Sequence, residues 1–170
     1  FRDLPPFTAL RAALEALGTD ERYLHRGLPY GIAYTGLWSL FVPLVAPGVV
    51  DALEPEMPAL AEVSRRLEVA TVHAYAPMGP RSFYARDFAP LLGIPEDPVT
   101  GSANAALGAL LARAGVVPRR EGQVRLTVYQ GHRLGNPGVV EVLVEYNPTG
   151  LPYAVQIGGE AVVVATGDLA

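Results

Sequence analysis

Ala103-Asn104-Ala105-Ala106-Leu107-Gly108-Ala109-Leu110-Leu111-Ala112 contains one polar side chain and one glycine in an otherwise apolar run. The run reads as a helix that follows a turn over residues 97–102 and ends near Ala114. Arg113 stands in its last turn and Gly115 stops it. A helix apolar on every side is buried on every side. At about 1.5 Å per residue it is roughly 19 Å long. Its small side chains allow other backbones to come close.

Strand-forming sequence lies on both sides of it. Val69, Thr71, His73 and Tyr75 alternate with Ala70, Val72, Ala74 and Ala76, a strand apolar on both faces. Residues 81–88 read as its hairpin partner after a turn over 77–80. Residues 123–129, 139–146, 152–157 and 161–165 read as further strands. Gly158-Gly159 is expected to form a two-residue type I′ hairpin loop between the last two. Upstream, residues 28–45 look extended, with a turn or bulge at Thr35-Gly36. Thr8 suits the N-cap of a first helix that puts Leu10, Ala13, Leu14 and Leu17 on one face and stops at Gly18. Short helices are expected over 49–53 and 58–67. The expected class is α+β: a mostly antiparallel, curled sheet wrapped round one central buried helix, in a single domain over residues 1–170.

Bulk composition narrows the chemistry. Half of the 170 residues are apolar and the net charge is −4. Without a basic stripe, nucleic acid is a poor partner. All 13 basic residues are Arg. With no Lys, Schiff-base and lysine-held pyridoxal chemistry are excluded. No Cys is present, which excludes disulfides and thiolate nucleophiles. No pair of His with a carboxylate has metal-ligand spacing. The longest apolar run, over 37–50, is broken by Ser39, Pro43, Pro47 and Gly48, too short and interrupted to span a membrane. Cytoplasm is the default location. The opening Phe1-Arg2-Asp3-Leu4-Pro5-Pro6 reads like a linker.

The N-terminus of the apolar helix carries the chemistry. Its first N–H groups lack intrahelical acceptors, and its dipole adds about half a positive charge. Thr100, Gly101 and Ser102 sit there, and such an end binds carboxylate or phosphate. Asp97 lies just upstream, biased toward extended geometry by Pro98. A carboxylate beside a buried anion site could shuttle a proton. The same string also reads as a plain turn with Thr100 or Ser102 as an N-cap, and the residues alone leave both readings open.

A larger pattern then enters. Phe88-Ala89-Pro90 and Gly93-Ile94-Pro95-Glu96-Asp97-Pro98-Val99-Thr100-Gly101-Ser102-Ala103 resemble the signature of the PhzF-like proteins of phenazine biosynthesis. Tyr34-Thr35-Gly36-Leu37 fits an upstream strand of the pattern. Gln130-Gly131, Gly135-Asn136-Pro137-Gly138 and Val155-Gln156-Ile157-Gly158-Gly159-Glu160-Ala161-Val162 follow in order. The resemblance implies a diaminopimelate-epimerase-like fold, in which two similar domains each wrap a sheet round a central helix. It implies cofactor-free proton shifts on small carboxylic acids in the cleft between them. By this resemblance Asp97 is the acidic catalytic residue, Thr100, Gly101 and Ser102 hold substrate at the helix N-terminus, and Gln130 and Gly131 form a strand end near the cleft, also substrate-binding.

Two departures matter. Asn136 stands where many relatives have Arg. Relatives also carry a first domain with a glutamate and a histidine, and Glu15, Glu21 and His25 do not sit in those motifs. The chain therefore resembles the second domain. Its expected partners are the small carboxylate and an N-terminal domain, a second chain or a second copy of itself. The expected activity is that of an isomerase or epimerase when complete, with this stretch inactive alone. The alternative is a non-catalytic anion-binding or scaffold domain of the same fold. The related diaminopimelate epimerases use a cysteine at the corresponding turn, which this chain lacks. His132 could face the cleft or be a solvated strand-end residue. Asn104 could point to ligand or be satisfied by backbone. His25 and His73 read as structural or exposed, and Tyr30, Tyr34 and Trp38 as core or cleft lining.

Overall fold

Both faces of the strand β3 (Thr71–Gly79) are apolar because helices cover the sheet on both sides. The computed structural model describes residues 1–167. In chain order the helices are α1 (Phe7–Ala16), α2 (Pro47–Asp51), α3 (Met57–Leu67) and α4 (Gly101–Ala114). The other strands are β1 (Gly31–Tyr34), β2 (Trp38–Pro43), β4 (Ser82–Ala89), β5 (Ile94–Asp97), β6 (Gln123–Gln130), β7 (Gly138–Tyr146) and β8 (Pro152–Gly158). The sheet runs β1-β2-β3-β4-β6-β7-β8, with β5 paired to β4 beside β6. Among the described residues only β2–β3 and β4–β6 are parallel pairs; the rest are antiparallel.

One face packs Leu40, Val42, Val72, Ala74 and Phe88 against α1, α2 and α3. The other packs Phe41, Tyr75, Phe83 and Ala85 against α4, together with the inward valines of β6 and β7. Every residue from Ala103 to Ala112 is buried. The first and last strands of the sheet order both touch α4, so the sheet curls into a half-barrel. The helix comes so close to β7 that a Cβ on Gly108 would lie 2.5 Å from Cγ1 of Val142. That distance explains a glycine in mid-helix, where it costs roughly 1 kcal/mol against alanine.

Several local expectations are corrected. The helix near Thr8 starts at Phe7, with Pro6 at its N-cap and no capping side chain. Residues 1–6 are no free linker: the Arg2 amide donates to the Ile32 carbonyl, and its guanidinium stacks 4.1 Å from the Trp38 ring centroid. Residues 94–97, given no strand in the sequence reading, form β5, so the turn expected over 97–102 begins one residue later. The last strand, expected over 161–165, is absent, and Val162, Val163 and Val164 stand exposed. A type I′ loop needs positive φ at both central positions, and neither Gly158 nor Gly159 adopts it. The chain runs on along β7 instead, bringing Gly159 against the Val139 carbonyl. Among the described residues no helix is long and apolar enough to cross a membrane.

Candidate functional site

The site grows from the meeting of two strand ends with one helix end. β5 ends at Asp97, β6 ends at Gln130, and α4 begins at Gly101 after Thr100 as N-cap. The Thr100 side chain makes no cap bond to its own helix. Its hydroxyl donates to Oδ2 of Asp97 at 2.6 Å. The direction of that bond is set by Gln130, whose Nε2 donates to the same Oγ1 at 3.0 Å. A hydroxyl has one hydrogen, and with a donor already at its lone pair it gives that hydrogen to the carboxylate.

Gln130 is fully buried and spent within the protein. Its Nε2 also donates to the Asp97 carbonyl at 2.8 Å. Its Oε1 accepts from the Thr100 amide at 3.2 Å and from Nδ2 of Asn104 at 2.7 Å. Asn104 is buried too, and its Nδ2 donates as well to the Thr100 carbonyl at 3.0 Å. Its Oδ1 is buried without a partner. The order Asn104, Gln130, Thr100, Asp97 is thus a continuous hydrogen-bonded chain with the carboxylate at its end. No amide atom of Gln130 remains for a ligand.

Gly131 serves the same junction. It holds φ +86°, and a Cβ there would fall 2.2 Å from the Asn136 carbonyl oxygen and 2.7 Å from that of Pro98. Only a glycine lets the turn before α4 and the turn before β7 close on each other. Gly101 and Ser102 are half-buried at the helix mouth. The Thr35 hydroxyl donates to the Ser102 carbonyl at 2.6 Å, laying the β1–β2 turn across that mouth. An open cavity of about 890 Å³ adjoins Gly101 and is lined by Val99, Pro137, Val139, Ile157 and Glu160.

His132 does not share this setting. It is exposed and packs 5.3 Å from Tyr84 and 6.5 Å from Tyr129, which face the α1–α3 side of the sheet. His25 is half-buried, its Nδ1 accepting from the Gly27 amide. His73 is fully buried and pairs through Nδ1 with Oδ1 of Asp87 at 2.9 Å. Sequence reading left His73 without a partner and did not single out Asp87 or Thr35. The partner of His73 follows only once the β3–β4 register is known. On the opposite face Arg86 and Glu96 form a buried two-bond pair, at 2.9 and 2.7 Å, and Arg86 also donates to the Val50 and Leu53 carbonyls. Among the described residues no group of three or more His, Asp or Glu is placed to hold a metal ion.

Residues 5–167 match the family described as "Phenazine biosynthesis-like protein", PhzC-PhzF. The chain is 55% identical over 157 residues to an "Uncharacterized isomerase" of Deinococcus radiodurans, covering 92% of this chain and 51% of that protein. It is 28% identical over 169 residues to the "Trans-2,3-dihydro-3-hydroxyanthranilate isomerase" of Pseudomonas chlororaphis, covering 98% of this chain and 56% of that one. Among solved structures, a PhzF family protein of Bacillus anthracis superposes with a TM-score of 0.74 at 25% identity, over 87% of this chain and 50% of that one. The chain spans about half the length of the curated relatives it matches. The family match over nearly the whole chain lends no support to the expectation that this stretch is inactive alone.

Proposed function

The chain belongs to the phenazine biosynthesis-like family, whose relatives include named isomerases, and on that premise we propose that it supplies one wall of an isomerase that moves a proton on a small carboxylic acid without a cofactor. The observation that carries the reading is the half-buried Asp97 carboxylate, tied at one oxygen by Thr100 and standing at the N-terminus of a buried helix. In this reading the sheet wraps α4 as one diaminopimelate-epimerase-like half.

The chemistry follows from that geometry. The amides of Gly101 and Ser102, with the helix dipole behind them, hold the substrate carboxylate. Thr100 keeps Oδ2 of Asp97 occupied, so Oδ1 handles the proton. One C–H bond breaks and another forms elsewhere on the same substrate while its double bond moves, so no electrons leave the system. Negative charge that develops on the substrate during the shift lies near the helix end, where it is stabilised. Gln130 and Gly131 act by positioning the wall. The facing acid or base comes from an N-terminal domain or from a second chain, a second copy included.

Deuterium incorporation tests the reading. The protein is incubated in D2O with trans-2,3-dihydro-3-hydroxyanthranilate, the acid in the name of the Pseudomonas chlororaphis relative, and with other small unsaturated carboxylic acids. Asp97→Asn is expected to slow incorporation by about 100-fold or more, the scale of a lost acid–base group. An Asp97→Asn protein as active as the original removes Asp97 from the mechanism. In parallel, anthranilate should move the Gly101 and Ser102 amide resonances. Binding that leaves both unmoved removes the helix end from the site and favours a plain binding domain of this fold.

A further inference from the structure

A row of side chains crosses the α4 side of the sheet: Phe41 on β2, His73 on β3, Asp87 on β4 and Asp97 on β5 are successive register partners. Register partners point to the same face, with Cβ atoms about 5 Å apart. The row therefore leads from the core to the carboxylate of the site. His73 and Asp87 are both fully buried, and Phe41 packs edge-on to the imidazole at 5.5 Å. Among the described residues Nε2 of His73 and Oδ2 of Asp87 have no hydrogen-bond partner.

Two carboxylates thus stand side by side with one imidazole behind them. The elements packed against them offer no other counter-charge. β2 carries no charged residue, Arg86 of β4 and Glu96 of β5 are paired with each other, and the only charge on α4 is Arg113 in its last turn. An ionised Asp87 beside a neutral His73 would be an uncompensated buried charge next to Asp97, among the costliest arrangements a core can hold. One proton shared by the pair removes that charge at the smaller expense of a single unpaired N–H on Nε2.

We propose that His73 and Asp87 hold one proton between them as a net-neutral pair, leaving Asp97 the only anion of the row and free to take up and return a proton. The pair is a positioning device: it touches no substrate and acts through Asp97. The idea rests on reading Asp97 as the proton-handling carboxylate.

Imidazole nitrogen spectra of the 15N-labelled chain at pH 7 test it. The expected result is a protonated Nε2 on His73; a bare Nε2 overturns the proposal. His73→Asn keeps a donor toward Asp87 but brings no proton, so Asp87 must then carry the proton itself to avoid an uncompensated buried charge. The Asp87 side-chain carbon of that variant is expected in its protonated form at pH 7, and an ionised Asp87 there overturns the proposal. If that variant does not fold, the Nε2 spectrum decides alone. An active Asp97→Asn enzyme would remove the catalytic reading and leave the proton count standing, so the two failures are distinguishable.

Discussion

Replacing Gln130 by Glu changes one atom of the hydrogen-bonded chain and reverses its logic. The amide nitrogen that faces the Asp97 carbonyl at 2.8 Å and the Thr100 hydroxyl at 3.0 Å becomes an oxygen. As a carboxylate it would press a negative oxygen against a carbonyl inside a fully buried site. The introduced group therefore folds only as the acid, with its single O–H turned to the Asp97 carbonyl. One donor bond is lost regardless, worth about 1 kcal/mol. Holding the acid form at pH 7 costs about 4 kcal/mol, since an unfolded Glu titrates near 4.3 and each unit is worth about 1.4 kcal/mol. At pH 5 the same cost is about 1 kcal/mol.

The sign follows from linkage. A carboxyl whose folded value is raised contributes fully below its unfolded value, and that contribution is lost as pH rises toward the folded one. Gln130→Glu should thus be destabilised by about 5 kcal/mol at pH 7 and about 2 kcal/mol at pH 5. Urea unfolding of the variant and the original chain, followed by circular dichroism at both pH values, measures the difference and cancels the protein's own pH dependence. Gln130→Met is the control. It strands the Thr100 amide and the Asp97 carbonyl, and should cost about 2–5 kcal/mol equally at both pH values. A Gln130→Glu penalty that is the same at pH 5 and 7, or below about 1 kcal/mol at pH 7, refutes the reasoning, because the side chain would then not be locked between those groups.

Gly131→Ala should abolish folding or cost more than about 3 kcal/mol, since a Cβ would have to displace two backbone carbonyls at positive φ. Thermal unfolding checks this, and a variant within about 1 kcal/mol of the original would mean that the junction is loose. Tyr75 supplies an alkaline test. Its phenol is fully buried, donates to the Pro29 carbonyl, and is pushed well above its ordinary value by burial. A raised group stabilises the fold below its unfolded value and loses that contribution as pH rises, so chain stability should fall above about pH 10. Tyr75→Phe should lose about 1–2 kcal/mol near neutrality and show a shallower alkaline decline in urea titrations at pH 8 and 10.5.

The helix was legible in the sequence because ten successive positions leave it no solvent face. The hairpins β3–β4 and β6–β7 were legible because alternation at period two leaves few alternatives. What stayed hidden depended on register. β5 contains Pro95, is followed by Pro98 and has only four residues, so it carries too little pattern to distinguish it from a turn. His73 finds Asp87 14 positions away, and Asn104 finds Gln130 26 positions away, only after strands pair and the helix docks. The false strand at 161–165 had strong β-forming valines, but β propensity expresses packing against neighbours, and these residues have none. At the site, resemblance supplied the residues and geometry supplied their division of labour: Gln130 was expected to meet substrate, yet every polar atom of its side chain is engaged within the fold.

Two adjacent pairs of charged residues show how the fold holds the Asp97 carboxylate on so slight a strand. Arg86 and Asp87 are neighbours in β4, and Glu96 and Asp97 are neighbours in β5. Strand geometry sends neighbours to opposite faces. Arg86 and Glu96 therefore meet on the α1–α3 side, where the guanidinium also binds the Val50 and Leu53 carbonyls at and just after the end of α2. Asp87 and Asp97 meet on the α4 side. Breaking a buried ion pair by removing one partner costs about 3–5 kcal/mol, whereas an exposed pair holds almost nothing. Placing the strong pair one residue from Asp97 pins a strand that two register contacts alone would leave to fray. The anchoring charge is neutralised completely, so the field that Asp97 experiences comes from its own face: the Thr100 hydroxyl, the end of α4 and the His73–Asp87 pair. Position and electrostatic surroundings are thus set from opposite sides of one four-residue strand, and a change on either face can alter one without the other.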